Sequence, residues 1–443
     1  MHDEETRTLD RPTAARTTPA EAPATGRETP SWLGPVLVVA IVLAALNLRP
    51  AITSLGALLE ETREGLGMSG TVAGLLTSMP ALCFAVFGVT APRLSRRFGP
   101  GAVVCAGMAA IAAGMVVRPF AGGTAGFLAA SALSLAGIAL TNVLLPVIVK
   151  RWFPDRVGTM TGLYSMALAV GTSLAAAATV PMTQALGGSW RTGLLIWAVL
   201  AVAAVLPWLP VAREARRERA AAAAHGGGAP EAAGSARTAG ARPDAAGPRV
   251  IRSRTAWALA GYFGLQATGA YVTMGWLPQI FRDAGVSPGT AGVLLAVTMV
   301  MGVPLAFVIP RLAGAGRNQG VIALALGVFG LTGYAGLYFA PAAGAWAWAL
   351  LLGVSNCAFP LAITMIGLRA RSAAGVAKLS AFAQSTGYLI SIPGPLVIGV
   401  LYQHSGGWDL PLALMAGLMV PQIFVGILAG RDRTIEDECR MGD

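Results

Sequence analysis

Long apolar runs separated by short polar segments make up most of this chain. Each run holds roughly 20 residues, the length that an α-helix needs to cross the hydrocarbon core of a bilayer. The strict alternation of a membrane β-strand is absent. Twelve spans are predicted, at residues 33–59, 70–91, 101–117, 123–149, 157–186, 191–210, 255–280, 289–310, 319–340, 343–367, 376–402 and 410–430. The pattern therefore predicts an all-α polytopic membrane protein with 12 transmembrane helices.

The second half of the chain repeats the first at an offset of about 218 positions. The Pro-Arg-Leu triplet at 92–94 recurs at 310–312, and the Gly-x-Trp at 188–190 is matched at 406–408. Each half holds six predicted spans, an even number, so both halves enter the membrane from the same side. The sequence therefore predicts two parallel six-helix repeats, an arrangement in which a binding site forms where the halves meet.

Polar segments divide the predicted chain into five parts. The longest internal one starts with Arg, Glu and Ala and continues into Gly, Ala and Pro, as a flexible linker does. The predicted parts are a disordered cytoplasmic tail at 1–32, an N-terminal six-helix half at 33–210, a cytoplasmic linker at 211–254, a C-terminal six-helix half at 255–430 and a cytoplasmic tail at 431–443.

The net charge of +11 follows the predicted topology. With the N-terminus placed in the cytoplasm, 27 Lys and Arg residues fall in inner segments and 4 in outer segments. This asymmetry is the positive-inside rule. It predicts a plasma (inner) membrane protein with both termini in the cytoplasm, and it argues against nucleic acid as a partner.

Composition excludes a soluble enzyme. Hydrophobic residues make up 55% of the chain and charged residues 12%, which is unlike a soluble globular protein. The four cysteines and three histidines lack metal-site spacing, and no phosphate-binding loop or pair of catalytic carboxylates is evident. We expect no catalytic residues, no metal and no cofactor.

Arg49 is the one charged side chain that the predicted spans place deep in the bilayer. A charge there costs from about 3 to more than 10 kcal/mol. All 21 Asp and Glu residues fall in tails, loops or span ends, so none is available to pair with it. Because a guanidinium binds small oxyanions and carboxylates through a planar fork of donors, we expect Arg49 to hold a small anion or compact polar solute.

Two other interpretations stay open. Arg49 could be structural, satisfied by carbonyl groups, in an exporter of neutral or cationic drugs. The chain could also be a non-transporting membrane sensor built on a transporter scaffold. A drug-sensitivity assay on a deletion strain separates the exporter from the anion carrier.

Uncharged polar and aromatic residues at similar depth complete the predicted site. The repeat carries position 49 to Ala267, so one half would supply the cation and the other neutral hydrogen-bonding groups. Any one of these polar or aromatic residues, taken alone, is explained at least as well by an interhelical hydrogen bond as by substrate contact. The predicted substrate-binding residues besides Arg49 are Asn47, Asn142, Tyr164, Gln266, Tyr271, Trp276, Asn356, Gln384 and Tyr388.

The layout of six plus six spans resembles the major facilitator superfamily. The signature of its loop between spans 2 and 3 is found at Pro92-Arg93-Leu94-Ser95-Arg96-Arg97-Phe98-Gly99, with Arg96 where Asp is usual. The resemblance implies alternating access by a secondary transporter, a monomer by default, and a gating role for Arg93, Arg96 and Arg97.

More specific strings resemble the cyanate and 2-nitroimidazole transporter family from about residue 35 to 430, the linker excluded. They are Leu46-Asn-Leu-Arg49-Pro50-Ala-Ile-Thr-Ser54, Arg151-Trp-Phe-Pro154, Met160-Thr-Gly-Leu-Tyr164-Ser165, Gly264-Leu-Gln266, Trp276-Leu-Pro278, Phe359-Pro360-Leu361 and Gln384-Ser-x-Gly387-Tyr388. The resemblance implies transport of a small molecule. It does not select one substrate, because members handle different small molecules.

Overall fold

The computed structural model describes residues 33–224 and 250–441, which form helices joined by short turns. The predicted tail 1–32 and most of the predicted linker lie outside these residues. Helices 1 to 6 are Leu33–Asn47 with Pro50–Ala57, Gly70–Phe98, Pro100–Val117, Thr124–Trp152, Val157–Ala185, and Trp190–Val205 with Trp208–Ala224. Helices 7 to 12 are Arg254–Asp283, Pro288–Val300 with Gly302–Ala315, Gly320–Phe339, Ala345–Ser355 with Ala358–Leu368, Ala373–Ser391 with Pro393–Ser405, and Asp409–Ala429. Shorter helical segments are Leu59–Gly65, Arg118–Phe120, Pro154–Arg156, Val250–Arg252 and Ile435–Met441.

Eleven of the described helices are long and apolar enough to cross a membrane. Helix 7 is the twelfth: its 30 residues extend about 45 Å, but side chains such as Gln266, Thr273 and Gln279 make it less apolar than those eleven. Most of its residues are buried against neighbouring helices, so its polar groups meet protein and not lipid. The predicted all-α architecture of two six-helix halves is confirmed.

The internal repeat is visible in the turns that precede helices 2 and 8. Gly67 and Gly285 have φ angles of 63° and 90°, in the left-handed region that favours glycine. Two residues later Ser69 and Ser287 each accept a hydrogen bond of 3.3 Å from the backbone N–H three positions on. Equivalent residues therefore start equivalent helices, as the offset of the repeat predicts.

The two halves meet mainly at one face of the molecule. We define the terminal face as the one where helix 1 starts at Leu33, and the opposite face as the one that holds Leu59–Gly65. Towards the opposite face, helix 2 packs on the end of helix 11. A Cβ on Gly399 would lie 2.3 Å from the carbonyl oxygen of Gly70, so the two backbones touch. Towards the terminal face, the second segment of helix 8 makes few contacts with the first half, so the halves are packed less closely there.

Candidate functional site

Helix 1 is interrupted at Leu48 and Arg49, beside the centre of the molecule. Pro50 begins the second segment at the first helical position, where a missing N–H costs no hydrogen bond. The proline ring keeps the helix from continuing past the carbonyl of Leu46. Helix 5 packs against that carbonyl: a Cβ on Gly171 would lie 2.2 Å from its oxygen, so only glycine fits. Pro50 and the close contact with Gly171 therefore fix the position of the interruption.

The Arg49 guanidinium lies at the junction of the two halves. Its central carbon is 6.0 Å from the ring centre of Phe84 on helix 2. It lies within side-chain hydrogen-bonding range of the Tyr271 hydroxyl on helix 7 and interacts electrostatically with the Tyr388 hydroxyl on helix 11. Its Nη1 is buried without a hydrogen-bond partner. Within residues 33–224 and 250–441, no carboxylate forms an ion pair with it.

Aromatic rings hold these groups in place across the junction. Phe84 stacks on Tyr388 with ring centres 5.1 Å apart and planes 18° apart. Tyr388 in turn meets Phe263 of helix 7 edge to face at 5.1 Å. Because Phe84 belongs to the first half and the other two rings to the second, the cluster changes whenever the halves move apart. Arg49 thus has a donor available for a ligand at a site that both halves build.

Two predicted residues, Gln266 and Asn356, line a separate cavity inside the second half. Gln422, 2% exposed, also lines it, and its Oε1 accepts no hydrogen bond. The cavity is bounded by Gln266, Gly269, Tyr334, Leu352, Ser355, Asn356, Met419 and Gln422. Its amide-rich lining suits a neutral polar group.

Two further predicted residues make contacts that hold helices together. Asn47 is fully buried, and its Nδ2 donates to the carbonyls of Leu43 at 2.8 Å and Leu200 at 3.3 Å, which ties helix 1 to helix 6. Trp276 is 1% exposed, and its Nε1 donates to the Thr77 hydroxyl at 3.1 Å across the junction of the halves.

Three further predicted residues form no hydrogen bond with Arg49 in the described structure. Asn142 and Tyr164 are half-buried on helices 4 and 5, and Gln384 donates to the Ser380 hydroxyl at 2.7 Å. The predicted gating residues Arg93, Arg96 and Arg97 are exposed at the end of helix 2 on the terminal face.

Sequence reasoning missed Phe84 and Arg118. Phe84 lies in an apolar run, and nothing in the pattern shows which side of helix 2 faces Arg49. Arg118 was counted with the outer segments, yet it is 1% exposed and sits at the end of helix 3. A proline directly after it, which ends helix 3, was the available signal that this arginine starts a turn folded back on the bundle.

A family model described as Major Facilitator Superfamily matches residues 37–370. The chain belongs to this superfamily. It is 33% identical over 410 residues to the 2-nitroimidazole transporter of Escherichia coli, covering 90% of this chain and 96% of that one. It is 30% identical over 390 residues to the cyanate transport protein CynX of the same organism, covering 87% and 95%.

An uncharacterized transporter of Bacillus subtilis, YycB, is 33% identical over 401 residues, covering 90% of this chain and 94% of that one. Among solved structures, the nucleoside transporter NupG (D323A mutant) superposes with a TM-score of 0.69 at 14% identity, covering 90% and 99% of the two chains, and shares the fold. These findings confirm the resemblance to the cyanate and 2-nitroimidazole transporter family. The protein is a multi-pass membrane protein for secondary transport of small solutes, and it is not an enzyme.

Proposed function

We propose that the transported solute is a small anion or compact polar molecule, cyanate-like or nitroimidazole-like, that binds at Arg49. The observation that carries the proposal is the buried Nη1 of Arg49, which has no partner among the described residues. A buried donor on a permanent cation is costly to leave unsatisfied, and a ligand with an oxygen acceptor removes that cost. Relatives that carry cyanate and 2-nitroimidazole support the same chemical class.

The aromatic rings around the guanidinium favour a flat or linear ligand. The stacked pair of Phe84 and Tyr388 presents an apolar edge beside Arg49, and a planar nitro group or a rod-like anion can pack against it while its oxygen accepts from the guanidinium. The tyrosine hydroxyls add neutral donors. Charge-assisted bonds of this kind are stronger than neutral ones, so Arg49 would supply most of the affinity.

The packing of the halves, closer at the opposite face than at the terminal face, supports alternating access. If both termini lie in the cytoplasm of a plasma-membrane protein, the terminal face is the inner face and the structure corresponds to an inward-facing state. Rocking of the halves would break the contacts between helices 2 and 11 and expose Arg49 outward. Each protomer holds a whole site, which supports a monomer as the working unit.

Uptake into proteoliposomes tests the proposal. Purified wild type, Arg49→Ala and Arg49→Lys are compared for uptake of labelled cyanate and labelled 2-nitroimidazole, with the exposed Arg317→Ala as the matched control. We expect Arg49→Ala to abolish saturable uptake, Arg49→Lys to retain a fraction, and Arg317→Ala to match wild type. Uptake by Arg49→Ala with an unchanged KM would contradict the proposal and favour a drug exporter with a structural arginine.

A further inference from the structure

A second buried arginine lies between Arg49 and the opposite face. Arg118 ends helix 3, and its side chain points into the first half of the molecule. Its Nη1 donates to the carbonyl of Ala51 at 2.9 Å and its Nη2 to the Ser54 hydroxyl at 3.4 Å. The remaining donor, Nε, is buried without a partner.

No carboxylate compensates this charge in the described parts of the chain. Arg118 takes part in none of their ion pairs, and no acidic group acts on it electrostatically. A guanidinium cannot shed its proton in a protein. The end of helix 3 supplies about half an elementary charge at most, so a full counter-charge is missing.

The guanidinium borders a cavity between helices 1, 2, 4 and 7 that has a second free donor. Ser131 of helix 4 lines this cavity, is 2% exposed, and its hydroxyl has no hydrogen-bond partner. Two other hydroxyls there are engaged: Ser134 donates to the carbonyl of Ala130 at 3.3 Å and Thr77 to the carbonyl of Gly74 at 3.0 Å. A permanent cation and an unused hydroxyl donor therefore line one cavity.

We propose that Arg118 and Ser131 bind a small monovalent inorganic anion of the chloride class. A water molecule could satisfy Ser131, but it would leave the charge of Arg118 without compensation. The free space admits a particle of about the size of one or two water molecules, so a monatomic anion fits better than an organic one. The site is distinct from the one proposed for the transported solute, although Tyr271 borders both.

The anion would also fasten the junction of the halves. The cavity lining includes Gly56 of the first half, packed on helix 7, where a Cβ would lie 2.1 Å from the Met274 carbonyl oxygen. Tyr271 of helix 7 also lines this cavity, so a hydrogen bond from its hydroxyl to the anion would link the halves and favour the conformation that is closed at the opposite face.

Equilibrium binding of radioactive chloride to purified protein tests the site directly. Wild type is compared with Arg118→Gln, Ser131→Ala and Arg49→Gln, in sodium gluconate to hold ionic strength constant. We expect one saturable chloride per chain in wild type, binding weakened at least tenfold in Arg118→Gln, and several-fold weaker binding in Ser131→Ala. Arg49→Gln should bind chloride as wild type does, even if it no longer binds the transported solute.

A stability measurement keeps the test decisive if Arg118→Gln does not fold. Chloride and bromide should raise the Tm of wild type in a saturable way at constant ionic strength, and Ser131→Ala should need several-fold more chloride for the same rise. The absence of saturable chloride binding to wild type would overturn the proposal. So would chloride binding that is lost in Arg49→Gln and unchanged in Ser131→Ala.

Discussion

At the scale of single residues, Arg49 combines a fixed position with an unused donor. The break before Pro50 fixes where the first helical segment ends, and Phe84 and Tyr388 fix where the guanidinium lies. A cation over an aromatic face gains about 0.5–2 kcal/mol, depending on how dry the site is. Phe84 thus orients the charge that a ligand meets.

Replacing Phe84 by leucine should weaken ligand binding without removing the charge. Loss of about 1 kcal/mol of cation–π and stacking energy corresponds to roughly a fivefold higher Kd. Isothermal titration of the purified variant with the transported solute measures this. Phe329→Leu, a lipid-exposed change of the same kind on helix 9, is the control and should leave Kd unchanged. Equal Kd values for both variants would contradict the orienting role of Phe84.

The sequence predicted the depth of side chains but not their direction. Arg49 was identified because charge is rare in the spans, and Tyr271 and Tyr388 were placed at its depth and do lie beside it. Asn47, two positions from Arg49, points to helix 6 instead. In a helix that is apolar on all sides, no polar face marks which residues point inward, so rotation about the axis is set by packing alone.

At the scale of elements, the last helix fastens the start of helix 7. Glu438 of Ile435–Met441 accepts from the Ser253 hydroxyl at 2.6 Å and from the Thr255 hydroxyl at 2.7 Å. Burial would raise the pKa of Glu438, but these hydrogen bonds outweigh it and hold the pKa below its ordinary value. A carboxylate at a helix N-terminus is also stabilised by the helix dipole.

Replacing Glu438 by glutamine should therefore lower the free energy of unfolding by about 1 kcal/mol at neutral pH. Since the folded pKa is depressed, the stabilisation is present above the unfolded pKa of about 4.3 and disappears as the pH falls through the lower folded pKa. Thermal unfolding in detergent at neutral and acidic pH measures both effects. The exposed Glu64→Gln is the control. A Tm difference between Glu438→Gln and wild type that persists at acidic pH would contradict this account.

At the scale of the whole molecule, charges fasten the halves at the opposite face. Arg282 at the end of helix 7 pairs with Glu61 of the first half at 2.9 Å. Arg63 lies over the ring of Tyr402, 5.7 Å from its centre, and makes a second link between the halves. Both links lie at the opposite face and would break if the site opened to this side.

Glu61→Gln should shift the population towards the conformation open at the opposite face. An ion pair of this exposure contributes up to about 1 kcal/mol, so the ratio of the two conformations should change by no more than about fivefold. Spin labels are attached to cysteines that replace Glu64 and His404, one on each half. Double electron–electron resonance measures the distance between the labels, and a larger population at long distance reports the change. The swapped pair Glu61→Arg with Arg282→Glu should restore the wild-type distribution. A distribution that Glu61→Gln leaves unchanged would show that the pair does not hold the halves together.

The most direct test of the central claim is ligand-dependent stability of purified wild type and Arg49→Gln. Both are melted in detergent with cyanate, other small anions and 2-nitroimidazole. A ligand that binds only the folded state adds about 2.7 kcal/mol at a hundredfold excess over its Kd. The account predicts a rise in Tm for at least one of these ligands that is lost in Arg49→Gln. A rise that is equal in both proteins, or no rise with any ligand, would contradict the assignment of Arg49 as the group that holds the solute.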